Sequence, residues 1–243
     1  MKINILHLIE GARNARGIAV IIDVFRAMTV EAYLAKNNAE KIIPTASVEY
    51  AFAYKEKHPK TVLCGERGGI IIDGFDFGNS PSAIEKEDFT GKTVVHTTSA
   101  GTQGIANAIY ADEIIGGSLV TAQAVANYIK SKNPSEVSLV CMGLMSERKT
   151  EEDTLCAEYI KSLLLGKPLP DIKERIESLK TTSGAKFFDE KFKDVFPKLD
   201  FALCVSLNSL PFVMRFKKGE NGQPDCMERI DVNIKLKKKA DSV

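Results

Sequence analysis

Ile18-Ala19-Val20-Ile21-Ile22-Asp23-Val24-Phe25-Arg26-Ala27-Met28-Thr29 carries the architecture of this chain. Ile18 to Val24 is apolar and rich in β-branched residues, apart from Asp23, and reads as a buried strand. Arg26 to Lys36 follows with Ala27, Val30, Tyr33 and Leu34 at helical spacing, so a helix begins where the strand stops. The pairing recurs outward from this unit. Lys41 to Pro44 reads as a strand and Val48 to Lys57 as a helix; Thr61 to Cys64 is a strand running into a glycine-rich loop. Thr93 to Thr98 precedes a helix at Gln103 to Tyr110, and Glu113 to Ile115 one at Thr121 to Lys130. Val137 to Cys141 precedes an apolar helix at Glu152 to Leu165. Strands alternating with helices predict an α/β fold, layered αβα, around a largely parallel or mixed sheet.

The last third is less regular. Pro168 and Pro170 interrupt the chain, Asp171 to Leu179 reads as a helix, and Thr181 to Gly184 as a turn. Phe201 to Val205 and Ile230 to Ile234 read as strands. With no internal repeat or low-complexity linker, residues 1–243 are expected to form one compact unit, less regular from about 168.

Thirty-three Lys and Arg against 32 Asp and Glu leave a net charge of +1, without the basic excess of a nucleic-acid-binding protein. The run Lys235 to Lys239 reads as a solvated tail. The five cysteines have no CxxC spacing, which removes zinc-ribbon and thioredoxin-type readings. Residues 1–7 are too short and polar for a signal peptide, and no apolar run reaches membrane-spanning length. A cytoplasmic protein away from membranes is expected; a homo-oligomer is left open.

The chemistry gathers just after predicted strands, where α/β folds build their sites. Asp23 closing an apolar strand is costly unless it meets a metal, a cation or backbone donors, although an N-cap would also employ it. Arg26 falls in a first helical turn, against the helix dipole. In Gly65-Glu66-Arg67-Gly68-Gly69, Arg67 suits capture of oxyanions and Glu66 suits a cation, while the bland reading is a loop with a surface ion pair. Asp73 to Pro81 sets Asp76, Asn79 and Ser80 among glycines, as either an oxygen-ligand site or a turn-rich connector. Thr97-Thr98-Ser99-Ala100-Gly101-Thr102 offers hydroxyls and N–H groups to an anion, and equally an N-cap. Glu151-Glu152-Asp153 opens a helix, where acidic residues complement the dipole or border the site.

Absent motifs narrow the field. His7, His58 and His96 form no HExxH, no cysteine is followed by arginine six positions on, and GxSxG is missing. Asp23 is placed like a dehalogenase-type nucleophile, but Phe25 stands where the second Asp of a DxD pair is needed to protonate the leaving group.

Taken in order, Ile21 to Thr29, Gly65 to Gly69, Gly74 to Pro81, Thr97 to Thr102 and Glu151 to Glu158 resemble the motif set of the 2-phosphosulfolactate phosphatase family over the first two thirds of the chain. Asn14 to Gly17 varies from that pattern. The resemblance implies a family-specific α/β topology and Mg²⁺-dependent hydrolysis of 2-phospho-3-sulfolactate, a small anionic phosphate ester, in coenzyme M biosynthesis. By motif match it implies Asp23, Arg26, Arg67, Thr98, Ser99 and Thr102 as catalytic positions. Arg26, Arg67, Asn79, Ser80, Ser99, Gly101 and Thr102 would contact substrate, and Asp23, Glu66, Asp76, Glu152 and Asp153 would hold Mg²⁺. Attack by water or by Asp23 stays open, with water favoured because the dehalogenase partner acid is missing. The competing readings are a non-catalytic module for anionic metabolites and a dehalogenase-type phosphatase of broad specificity.

Overall fold

The computed structural model describes residues 1–232. Ten strands, β1 (Lys2–His7), β2 (Ile18–Ile22), β3 (Lys41–Pro44), β4 (Val62–Arg67), β5 (Ile70–Ile71), β6 (Thr93–Thr97), β7 (Glu113–Gly117), β8 (Glu136–Cys141), β9 (Phe212–Lys217) and β10 (Cys226–Asp231), form one sheet in the order β1-β8-β2-β7-β9-β10-β3-β6-β4-β5. The α-helices among the described residues are α1 (Leu8–Arg13), α2 (Ala27–Lys36), α3 (Val48–Lys57), α4 (Pro81–Ile84), α5 (Gly101–Asn107), α6 (Ala122–Lys132), α7 (Glu151–Leu165), α8 (Ile172–Ser178) and α9 (Lys198–Cys204). The arrangement is mixed α/β and agrees with αβα layering.

Two parallel blocks make up the sheet, β1-β8-β2-β7 and β3-β6-β4. The antiparallel hairpin β9–β10 joins them through a single residue pair on each side, Ile115 with Arg215 and Met227 with Ile42. Three successive antiparallel steps make the blocks run in opposite senses. Six steps separate β2 from β4, and the usual twist of about 20–25° per step sums to roughly 130°. The carboxyl ends of β2 and β4 nevertheless border one cavity, through Asp23 and Glu66.

Strand β2 is buried on both faces. Ala19 and Ile21 join a core with α1, α2 and α5, whereas Ile18, Val20 and Ile22 join a second core with α6 and α7. Helix α2 is buried from Ala27 through Ala35, so its surroundings close over every side of it. Its sequence permits this because only Glu31 carries charge within that span, and Glu31 has a buried partner.

Several expectations need correction. Phe201 to Val205 is not a strand but lies largely in α9; Phe201 and Cys204, three apart, both turn inward, a spacing that suits a helix face. The strand expected at Ile230 to Ile234 begins earlier, at Cys226; Ile234 and Lys235 to Lys239 lie outside the described residues. Strands β1, β5 and β9 were not anticipated; β9 turns Val213 inward and leaves Lys217 exposed. Among the described residues no helix is long and apolar enough to cross a membrane.

Candidate active site

Three strand ends and the loop before α4 meet at one cleft. A cavity of about 340 Å³ takes its walls from Asp23 and Arg26 after β2, Glu66 at the end of β4, Asn79 before α4 and Ser99 after β6. A second compartment of about 470 Å³, reaching Arg148, Lys149, Glu152 and Ser183, shares Asp23 and Lys186 with the first.

Asp23 lies between the starts of α2 and α5. Its Oδ1 accepts the Ala27 N–H at 3.1 Å. Gly101 allows this approach, since a Cβ there would stand 2.6 Å from the Ala27 Cβ and 3.1 Å from Asp23 Oδ2. Burial pushes the Asp23 carboxyl up to about 7, with the charges of Glu66 and Glu152 adding to the rise and the Ala27 N–H opposing it. Asp153 ties two loops together: Oδ1 accepts the Val24 N–H and Oδ2 the Gly143 N–H, both at 2.8 Å. Burial, then Glu152 and Asp23, raise its carboxyl well above the usual range. Glu152 is also raised by burial, and its Oε2 is buried without a hydrogen-bond partner. Three acids held this close favour either shared protons or a cation.

Glu66 organises the opposite wall. Its Oε1 accepts the Ser99 N–H at 2.7 Å; its Oε2 accepts the Gly69 N–H at 2.5 Å and the Ser99 hydroxyl at 3.2 Å. Both oxygens thereby tie the two loops together, while Glu66 still lines the cavity.

Arg26 precedes α2 rather than occupying its first turn. It donates Nη1–H to Asp200 Oδ2 at 2.7 Å and to the Val195 carbonyl at 2.8 Å, and Nη2–H to the Gly69 carbonyl at 3.2 Å, while Phe196 lies 4.7 Å beneath. Three of the five guanidinium donors are thus engaged among the described residues, leaving two for a ligand in the cavity it lines.

Other expected residues are used elsewhere. Arg67 donates to the Glu66 and Ala46 carbonyls and to Thr97 Oγ1, and does not line the cleft. Asp76 accepts from the Leu63 N–H and from Lys55 at the far end of β4, so it is not brought to the other acids and its expected metal role is lost. Thr98 and Thr102 satisfy each other's backbone N–H, a reciprocal cap that replaces the chemistry expected of them. Ser80 donates to Asp200 Oδ1 at 2.8 Å and so supports the counter-ion of Arg26 instead of facing substrate. Asn79 and Ser99 do line the cavity.

Asp200 and Lys186 were missed. Asp200 is fully buried and accepts from Arg26, Ser80 and the Ser82 N–H. Reading Lys198 to Cys204 as a helix would have exposed the signal, an aspartate turned inward beside Phe201 and Cys204. Lys186 sits over the rings of Phe196 and Phe187, and burial lowers its pKa against the pull of Glu152. Its place between an alanine and two phenylalanines was the available hint.

Among the described residues no group of three or more His, Cys, Asp or Glu is arranged to hold a metal. Asp23 and Glu152 nevertheless keep oxygens outside that bonding, a donor set suited to a hard cation that retains water and substrate oxygens in its shell.

The family model described as 2-phosphosulpholactate phosphatase matches residues 3–219. A probable 2-phosphosulfolactate phosphatase of Bacillus subtilis (strain 168) is 32% identical over 216 residues, covering 88% of this chain and 92% of that protein. One from Clostridium perfringens (strain SM101 / Type A) is 32% identical over 234 residues, 90% of this chain and 92% of its own. A third, from Carboxydothermus hydrogenoformans, is 42% identical over 165 residues, 68% of each chain.

Proposed function

Because this chain belongs to the 2-phosphosulpholactate phosphatase family, we propose that it hydrolyses 2-phospho-3-sulfolactate to 3-sulfolactate and phosphate, dependent on Mg²⁺, in coenzyme M biosynthesis in the cytoplasm. The observation that carries this reading is one cleft in which buried acids face Arg26 and Lys186. Such a pairing of a cation-seeking wall with an anion-seeking wall is what a phosphate ester with further anionic groups requires.

Asp23 and Glu152 would hold Mg²⁺, which when bound supplies charge neutralisation at the phosphoryl oxygens. Arg26 binds the phosphate with its two remaining donors, held in place by Asp200. Ser99, fixed through Glu66, lines the phosphoryl side of the cleft. Lys186 stands where the compartments join and attracts the substrate's second anionic end, with Arg148 and Lys149 beyond it. Water adds to phosphorus, the ester P–O bond breaks, and the departing sulfolactate oxygen takes up the proton that the attacking water gives up, leaving hydrogen phosphate and 3-sulfolactate.

The ring of Phe25 packs on Phe187 and Phe201, so the position that a dehalogenase-type enzyme gives to its second acid is apolar here. This favours water over Asp23 as the nucleophile.

Phosphate release from 2-phospho-3-sulfolactate and from an aryl phosphate, with Mg²⁺ and with EDTA, tests the reading. Mg²⁺-dependent release from the sulfonated ester alone is expected, and Glu152→Gln should need more Mg²⁺ for half activation. No release under any condition would leave a binding module. Equal release from both esters with a trappable aspartyl-phosphate would point to the dehalogenase type.

A further inference from the structure

Behind Asn79 lies a fully buried pair that the site's chemistry has not used. His96 Nδ1 is 3.1 Å from Glu31 Oε1, and His96 Nε2 is 3.2 Å from Asn79 Oδ1. Glu31 and His96 are both 0% exposed, and Glu31 Oε2 has no hydrogen-bond partner. Asn79 is itself 5% exposed, yet lines the cavity.

The partners set the direction of this relay. His96 Nε2 faces the Asn79 amide oxygen, which can only accept, so this ring nitrogen is the donor, while Nδ1 is held on the other side by Glu31 Oε1. The carboxamide nitrogen of Asn79, which has no hydrogen bond to the described residues, is then the end left for the cleft.

We propose that Glu31 and His96 are positioning residues that lock the Asn79 carboxamide with its N–H donors toward the cleft, making Asn79 an anion-binding group. This rests on the phosphatase reading for the identity of the anion, but not for the lock itself. Without the lock an asparagine could rotate and present its oxygen, which would repel the oxyanion that Arg26 attracts.

Two measurements test it. In long-range ¹H–¹⁵N NMR spectra of the wild-type protein, where three histidines make assignment simple, His96 should show a protonated Nε2. An unprotonated Nε2 overturns the proposal and needs no variant, so a variant that fails to fold does not stall the test. The second measurement is binding of inorganic phosphate by calorimetry to His96→Gln and His96→Asn. The Gln amide nitrogen replaces Nε2 and keeps the donor to Asn79; the Asn amide nitrogen replaces Nδ1 and keeps only the contact to Glu31. We expect His96→Gln to bind phosphate within a few-fold of wild type and His96→Asn to lose about tenfold or more, with KM following the same order. Equal losses in two folded variants would reduce His96 to a core residue and overturn the proposal. A wild type that binds phosphate yet does not hydrolyse phosphosulfolactate would sink the proposed function while leaving the lock intact.

Discussion

Arg26 and Asp200, 174 positions apart, meet at 2.7 Å with side chains 3% and 0% exposed, a buried ion pair that fastens the β2-to-α2 turn to α9. Asp200 also takes hydrogen bonds from Ser80 and Ser82, so one carboxylate aligns three segments.

Asp200→Asn should therefore weaken both fold and catalysis. It leaves the guanidinium buried without its counter-charge, a loss on the order of 3–5 kcal/mol. Denaturant unfolding should show the drop. Steady-state kinetics should show kcat/KM falling because Arg26 no longer holds its place; unchanged kinetics in a destabilised protein would separate Arg26 from substrate.

Asp23→Asn should abolish nearly all turnover and yet stabilise the metal-free protein near neutral pH. The Asp23 carboxyl rises from an ordinary 3.8 to about 7 on folding, so between those values the folded state holds more protons than the unfolded state. Its contribution to stability is full below about pH 4 and declines as pH climbs toward 7, reaching a few kcal/mol at most. Melting temperatures of metal-free protein across this window should fall for wild type and fall less for the variant. Asp153 shifts the same way and adds to the wild-type slope.

Thiol reactivity should divide the five cysteines one against four. Burial pushes the Cys64 thiol up to about 12 and also raises Cys141, Cys156 and Cys204, all of them buried, while Cys226 is only half-buried. The thiolate is the reacting species. Titration with an aromatic disulfide reagent should consume Cys226 in the native protein, and the other four only after unfolding.

Lys186→Gln should raise KM for a substrate bearing a second anion by about tenfold or more, given the worth of a hydrogen bond to a charged group. Its stability should change little, because the variant no longer places a cation where burial disfavours it. Kinetics on the sulfonated ester, set beside calorimetric binding of inorganic phosphate, which lacks the second anion, would reveal the effect as a loss confined to the former.

Local signals carried well where a residue's task was met by its neighbours in the chain. The apolar run at Ile18 to Ile22, the helix from Ala27 and the acidic opening of α7 were legible because periodicity and burial follow from composition within a few residues. Asp23, Arg26, Asn79, Ser99 and Glu152, polar groups that the sequence marks in its loops and helix starts, line the two compartments. What could not be read was which of the charged groups in those loops would face the cleft. Arg67 and Asp76 look as functional as Arg26 and Asp23 in the chain, but one turns to Ala46 and Thr97 and the other to Lys55.

The linear pattern of residues thus settled that strands would alternate with helices and that polar loops would cap them, since both depend on chemistry over short range. The partners of those loops were settled by the strand order of a sheet whose two blocks run in opposite senses and by the closure of the chain around α2. Only that long-range geometry could join Asp200 to Arg26, bring Lys186 to the acids, and set Glu31 behind His96, because hydrogen bonds and desolvation act on distances in space and not on separation along the chain.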